Sequence, residues 1–489
     1  MATISLQAPQ ALRGIIDVPG DKSISHRAVI FNAVAEGSAQ IDHFLTGADC
    51  LATIDCMRAL GVDVSRDGDR VRVVGAGLRG LREPAAVLDC GNSGTTLRLL
   101  SGLLAGQPLF AILTGDASLR ARPQQRIVGP LRALGAHLDG RRNGDLAPLA
   151  VRGRTLEGGH YALPIASAQV KSALLLAALA GTGPLKLTGR IDSRDHTERM
   201  LSAMGIDVQV RSDAITLHPP THPVFPYPLS LRVPGDPSSA AFWWVAAAIH
   251  PDAELTTPAV CLNPSRTGAL DVLRAMGAKI SIQNERLEGS EPVGDVTVSS
   301  STLHGVEIAG ADLIPRLIDE IPVLAIAAAY AHGDTVIRDA QELRAKETDR
   351  IATVAAGLAA LGIHSEPTAD GMGLTGSGGV ALHGAALHSH GDHRLAMAWA
   401  VAALVAQDTI TINDADAVTV SYPTFWETLR QIAAGLGNVI CDPHHDALKS
   451  FITFHASHYE HPQLQLHHCG LYRGTCHHRQ LQFAALPQS

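Results

Sequence analysis

Hydrophobic and polar positions along this chain alternate between two periods. Stretches such as Leu51, Ile54, Met57 and Leu60 place apolar residues three apart, which predicts amphipathic helices. Each such stretch closes on a glycine, the residue that most easily takes the left-handed turn past a helix end. Short apolar or alternating runs follow most of these glycines, VDV after Gly61 and AKISI after Gly277, and predict strands. The joint recurs in nearly the same letters: MRALG ends at Gly61, LRALG at Gly135, LSAMG at Gly205, LRAMG at Gly277 and LAALG at Gly362. A looser sixth copy, AAGLG, ends at Gly437. Spacings of 74, 70, 72, 85 and 75 residues predict six α/β units.

A longer repetition divides the chain in two. Val18-Pro19-Gly20-Asp21 and Val233-Pro234-Gly235-Asp236 both open onto apolar helical patterns. The expected organisation is therefore two halves of three units, residues 1–20 plus 236–437 and residues 21–235, with the chain crossing over near each VPGD. The tail, 438–489, carries no unit signature but holds nine of the 24 His and three of the seven Cys. It is expected to be a poorly ordered extension. His467, Cys469, Cys476 and His478 would offer zinc four ligands, but their spacing fits no standard finger.

Composition narrows the function. A 46% hydrophobic and 18% charged chain of 489 residues can bury a large core. Its 39 Lys+Arg against 47 Asp+Glu give a net charge of −8, which argues against a nucleic-acid binder. The longest apolar run, 395–406, has 12 residues, short of the about 20 that span a bilayer. No basic and apolar leader precedes the first motif, and the few cysteines form no disulfide framework, so a cytoplasmic location is expected.

Against this acidic background, cations gather at turns that feed apolar helices: Lys22, Arg27, Arg122, Lys346, Arg350 and Arg394. Helix N-termini carry unpaired N–H groups and partial positive charge, so the pattern points to a small, multiply anionic substrate. Neither a P-loop nor a GxGxxG fingerprint accompanies it, so nucleotide binding is not favoured. Two carboxylates are candidates for acid/base work. Asp319 lies at the mouth of the apolar segment IDEIPVLA, where desolvation is expected to raise its pKa. Glu347 lies between Lys346 and Arg350, which four-residue spacing would put on one helix face. Taken singly, each carboxylate reads better as a cap or an ion-pair partner than as a catalyst. His26 and His393 read as packed histidines.

In order along the chain, DKSISHR from Asp21, GNSGTT from Gly91, RARP from Arg120, SAQVKSA from Ser167, GDPSSAAF from Gly235, IDEIPVLA from Ile318, KETDR from Lys346 and GDHR from Gly391 resemble the 5-enolpyruvylshikimate-3-phosphate synthase family. The SAQVKSA and GDPSSAAF forms are similar to its second bacterial class. The resemblance implies an α/β fold of two lobes, each with three βαβαββ units about a pseudo-threefold axis and helix N-termini aimed into the cleft between them. It implies transfer of the enolpyruvyl group of phosphoenolpyruvate to the 5-hydroxyl of shikimate 3-phosphate, without cofactor or metal; a monomer is expected.

Carried over by motif, Lys22, Ser23, Arg27, Ser167, Ala168 (through its backbone), Gln169, Asp319 and Lys346 would hold shikimate 3-phosphate, with Arg194 of SRDHTER on its phosphate. Lys22, Gly94, Arg122, Gln169, Arg350 and Arg394 would hold phosphoenolpyruvate. Asp319 would be the base for the 5-hydroxyl and Glu347 the acid for the methylene carbon. The sister transferase that acts on UDP-N-acetylglucosamine would be expected to show a catalytic Cys or Asp loop and a uridine pocket; GDASLRARP has no Cys, and the KETDR and SAQVK forms fit shikimate 3-phosphate. A non-catalytic anion-binding relative would have lost Asp319 and Glu347, and both are present.

Overall fold

A computed structural model describes residues 2–221, 226–434 and 440–441. Within it the signature joints behave as their letters require. The helices Ala48–Ala59, Gln125–Ala133, His196–Ala203, Gly268–Ala275 and Arg350–Ala360 each stop two residues before their glycine. Gly61, Gly135, Gly205, Gly277 and Gly362 all take φ between 84° and 98°, a conformation in which a Cβ would be strained. The sixth copy differs. The helix Phe425–Ile432 gives way at once to a strand, Ala433–Ala434, that pairs with Ala11 and Leu12, and Gly437 lies outside the described residues.

Six small sheets result, five of four strands and one of five. One unit shows the common plan. Strand Gly159–Leu163 runs parallel to Leu185–Gly189, with the helix Ala168–Leu179 crossing between them. Leu185–Gly189 pairs antiparallel with Ile215–His218, which pairs antiparallel with Asp207–Val210.

Some strands are lent across the sequence. Ala11–Ile15 pairs parallel with Ala253–Cys261, Thr3–Leu6 pairs antiparallel with Ile410–Asn413, and Leu231–Arg232 pairs parallel with Glu36–Asp42. The fold is thus two halves of three βαβαββ units, and the strand exchanges stitch the chain's early residues into the later units.

Each half has its own core. One contains Ile24, Leu100, Leu174 and Leu201 and is mainly aliphatic. The other contains Trp243, Trp244, Trp399, Phe242 and Phe425. There Trp243 stacks on Phe425 with centroids 4.9 Å apart and donates Nε1–H to the Tyr422 hydroxyl at 3.2 Å. The crossover helices Pro237–Ile249 and Ile321–Tyr330 are buried along nearly their whole length, which explains why they are apolar on every side.

The chain passes between the halves at the two VPGD turns, which lie side by side. Asp21 N–H donates to Pro234 O at 2.8 Å, and Asp236 N–H donates to Pro19 O at 2.9 Å. Arg266 Nη2 reaches Asp236 at 2.7 Å and Asp21 at 3.2 Å. A Cβ on Gly20 would stand 2.0 Å from His43 O, so this crossing tolerates no side chain.

Candidate active site

The six long crossover helices bring their N-termini to one cavity of about 730 Å³. Lys22, Gly94 and Ala168 begin the helices of one half, capped by Asp21, Ser93 and Ser167. Pro237, Ile321 and His393 begin those of the other, after Asp236, Glu320 and Asp392. First-turn amides have no preceding helical carbonyl to bind, so six such ends around one space make a strongly anion-attracting field. Eleven Lys and Arg side chains line the same cavity.

The wall from residues 21–235 is almost wholly cationic. Lys22 pairs with Asp49, and its ammonium is held above its ordinary pKa because that pairing outweighs burial. Arg27 is buried, with Nε donating to Thr197 Oγ1 at 2.8 Å and Nη2 to Ser172 Oγ at 2.6 Å. Burial pushes it down to about 10. Arg122 Nη2 donates to Asn92 Oδ1 at 2.6 Å. Ser167 caps its helix and accepts from Arg126 Nη2 at 3.0 Å. Gln169 accepts from Arg98 Nη1 at 2.7 Å and donates to Thr95 Oγ1 at 3.0 Å. Ser23, Gly94 and Ala168 line the cavity beside them.

The facing wall mixes signs. Asp319 receives Arg194 Nη2 at 2.8 Å, Lys346 Nζ at 3.4 Å, Arg350 Nη1 at 3.5 Å and Arg394 Nη2 at 4.0 Å. Glu347 receives Arg350 Nη2 at 2.7 Å and Arg122 Nη1 at 3.8 Å. Arg350, 1% exposed, is anchored from behind by Asp392 at 2.8 Å. Three ion pairs join the walls: Arg194 with Asp319, Arg122 with Glu347, and Arg126 with Glu342 at 3.2 Å.

Every residue assigned from the sequence to a substrate or to acid/base work lines this one cavity. Two expectations about it are corrected. Burial does push the Asp319 carboxyl up, but Lys346, Arg394, Arg194 and Arg350 outweigh it and hold the group well below the usual carboxylate range. Glu347 is likewise held low, with Arg350, His393, Arg122 and Lys22 overcoming its burial. Lys346 and Arg350 also do not share a helix face. Lys346 follows the short 3-10 turn Gln341–Ala345 in extended conformation, and Arg350 is the first residue of its helix. The bend between them is what lets both reach Asp319 from different directions.

Sequence reasoning missed several lining residues. Arg98 stands one helical turn after Gly94, and burial together with Arg126 and Arg122 pushes it down to about 9. Arg126 stands four residues after Arg122, in the next helix, and Glu342 four residues before Lys346. A search four residues on from Gly94 and Arg122 would have found the two arginines. His393 lines the cavity, with burial pushing it down to about 4. His26 is a packed histidine as expected, its Nδ1 2.7 Å from Thr53 Oγ1. The tail residues His467, Cys469, Cys476 and His478 lie outside the described residues.

The family model for EPSP synthase (3-phosphoshikimate 1-carboxyvinyltransferase) matches residues 6–429. A 3-phosphoshikimate 1-carboxyvinyltransferase of Roseiflexus sp. (strain RS-1) is 70% identical over 434 residues, 88% of this chain and 100% of the relative. That of Geobacillus thermodenitrificans is 54% identical over 427 residues, covering 86% of this chain and 97% of its own length. Among solved structures, EPSP synthase from Acinetobacter baumannii superposes with a TM-score of 0.80 at 42% identity, over 89% of this chain and 99% of that one. The enolpyruvyl transferase NikO from Streptomyces tendae has a TM-score of 0.72 at 18% identity, over 90% and 99%, a likeness of fold.

Proposed function

The chain belongs to the EPSP synthase family, and from that premise we propose a division of labour between the two walls of its cavity. The reaction is transfer of the enolpyruvyl group of phosphoenolpyruvate to the 5-hydroxyl of shikimate 3-phosphate, with release of phosphate. Each substrate carries a phosphate and a carboxylate. The observation that carries the assignment is the convergence of six helix N-termini and eleven cationic side chains on one space.

In this reading shikimate 3-phosphate lies against Lys22, Ser23, Arg27, Ser167, the Ala168 amide and Gln169, with its phosphate on Arg194 and its ring hydroxyls toward Asp319 and Lys346. Phosphoenolpyruvate lies against Lys22, Gly94, Arg122, Gln169, Arg350 and Arg394. Guanidinium groups suit both, because they offer two parallel donors to a carboxylate or phosphate.

Glu347 delivers a proton to the methylene carbon, which makes C2 electrophilic. Asp319 takes the proton of the 5-hydroxyl as its oxygen bonds to C2. Collapse of the resulting tetrahedral adduct returns a methyl proton, breaks the C2–O bond to phosphate and restores the double bond. The cations named above hold both carboxylates ionised. Substrate anions that engage Arg194, Arg122, Arg350 and Arg394 relieve that hold and raise the proton affinity of both groups where the chemistry needs it.

The two cores support lobes bounded as 1–20 plus 236–437 and 21–235. A cytoplasmic monomer is the accompanying proposal. Among the described residues no helix is long and apolar enough to cross a membrane. The test is phosphate release measured with phosphoenolpyruvate and each acceptor in turn. Release with shikimate 3-phosphate, abolished in Glu347→Gln and Asp319→Asn, is expected. Release in both variants at the unsubstituted rate would overturn the acid/base assignment.

A further inference from the structure

Lys171 belongs to the SAQVKSA motif, yet nothing above gives it work. It is 1% exposed, and a buried ammonium is costly unless every N–H is satisfied. Here all three are. Nζ donates to Ile191 O at 3.1 Å and to Ser193 O at 3.0 Å, and it pairs with Glu198 Oε1 at 2.6 Å. Two of the three partners are backbone carbonyls of one irregular segment, 190–195, between the strand Leu185–Gly189 and the helix His196–Ala203.

The segment's two ends have other ties, Arg190 N–H donating to Leu163 O at 2.9 Å and Asp195 accepting from Asn263 Nδ2 and Arg199 Nε at 2.7 Å each, while Lys171 holds its middle. Its internal backbone bonds are the tight Ile191 N–H to Gly189 O and Ser193 N–H to Ile191 O, both 2.8 Å. It nevertheless projects two arginines to the opposite wall, Arg194 to Asp319 at 2.8 Å and Arg190 to Ala311 O at 3.1 Å. Ser193 also lines the cavity, its buried Oγ without a hydrogen-bond partner. Lys171 sits one turn into the helix whose first residues, Ala168 and Gln169, face the same cavity.

We propose that Lys171 is a positioning residue that fixes the segment 190–195 to the helix Ala168–Leu179, and so sets Arg194 at the distance from Ala168 and Gln169 that shikimate 3-phosphate requires. The inference rests on the assignment of Arg194 to that substrate's phosphate. Lys171 touches neither substrate. Its effect is on the spacing between two groups that do, so it should be read in one substrate's affinity and not in the other's. Glu198 neutralises the ammonium but makes no bond to the segment's carbonyls, so its charge and the lysine's tether are separable.

The experiment compares Glu198→Gln, the double variant Lys171→Met/Glu198→Gln, Arg194→Ala and the triple combination. The double variant leaves no orphaned buried charge, and its melting temperature is recorded alongside the kinetics. Loss of the tether is expected to raise KM for shikimate 3-phosphate about tenfold, the scale of one charge-assisted contact, with KM for phosphoenolpyruvate changed less than about twofold. Glu198→Gln alone keeps both carbonyl bonds but leaves the ammonium unpaired, so it should lower the melting temperature while both KM values stay within about twofold. Because Lys171 acts through Arg194, the triple variant should be no worse than Arg194→Ala. Equal rises in both KM values, additive losses in the triple variant, or an effect of Glu198→Gln equal to that of the double variant would each overturn the proposal. If Arg194→Ala raises KM and the double variant does not, the tether is wrong and the phosphate assignment stands. If Arg194→Ala itself leaves KM unchanged, the phosphate assignment fails and this inference falls with it.

Discussion

The two walls of the cavity are built from equivalent units and are chemically unlike. The wall from 21–235 presents Lys22, Arg98, Arg122, Arg126 and Arg194 with Asp49 as its lone lining carboxylate. The wall from 236–437 presents Lys346, Arg350 and Arg394 interleaved with Asp319, Glu342 and Glu347. Both use helix N-termini, so attraction of anions is common to the two. Carboxylates concentrated on one side mean that proton transfer is assigned to that side alone. The lesson is that repeating a unit repeats its field, while chemistry enters through a few side chains on the first turns.

The sharpest way to break this comparison is to remove a proton carrier. Glu347→Gln or Asp319→Asn should lower turnover by about 10²-fold or more, the usual contribution of a general acid or base, while KM values move less. Steady-state rates for both substrates decide it. Wild-type turnover in both variants would erase the distinction between the walls.

Cations taken from opposite walls should, by contrast, behave alike. Arg122→Ala and Arg394→Ala should each raise KM for phosphoenolpyruvate by about tenfold or more, and by more than KM for shikimate 3-phosphate, since each removes a two-pronged anion partner. Equal effects on the two substrates would show that the residues are divided wrongly between them.

A smaller effect concerns pH and stability. Burial holds His393 at about 4, below its ordinary 6.5, and lowers His26 in the other half in the same direction. A base whose folded value is depressed favours the folded state above the unfolded pKa. Its contribution is then lost as pH falls from about 6.5 toward 4. For His393 the loss is roughly 3 kcal/mol at the acid end. Melting temperatures should be flat from pH 8 to 7 and fall between pH 6.5 and 5, less steeply in His393→Gln. A curve unchanged by that substitution would place the acid sensitivity elsewhere.

Removal of the tail should do least. All residues assigned to the site precede it, and the Roseiflexus relative is matched over 100% of its length by 88% of this chain. A chain ending at Asp442 retains Ile440 and Cys441, which pair with Ser5 and Ile4. It should keep its activity, with a melting temperature within about two degrees, because terminal segments rarely carry a domain's stability. Bound stoichiometric zinc in the full chain, together with loss of activity on truncation, would reverse this.

The repeats were legible because a helix end has one cheap solution. Glycine past the last turn marks it, and five near-identical copies gave the unit length. The sixth copy misled: AAGLG looks like a helix end, but Ala433 and Ala434 enter a sheet with the N-terminal strand Ala11–Ile15. A pairing across more than 400 residues leaves no local trace. At the site, motif residues were legible because first-turn positions face the cavity. Arg98 and Arg126 were not, since a few residues downstream an arginine looks like any surface cation. The pKa of Asp319 was misjudged for a related reason. Its apolar neighbours in sequence argue for desolvation, whereas Arg194 comes from 125 positions away.

The paired crossings near Gly20 and Gly235 carry a mechanical consequence. Two bodies joined by one strand can twist and tilt in every sense. Joined by two strands that are hydrogen-bonded to each other and pinned by Arg266, they are held against sliding at the crossing. Away from it the same two bodies are tied again by His196 with Glu291 at 2.8 Å and by Asn263 with Asp195 at 2.7 Å. A load on either half is therefore shared between the covalent crossings and these buried polar links.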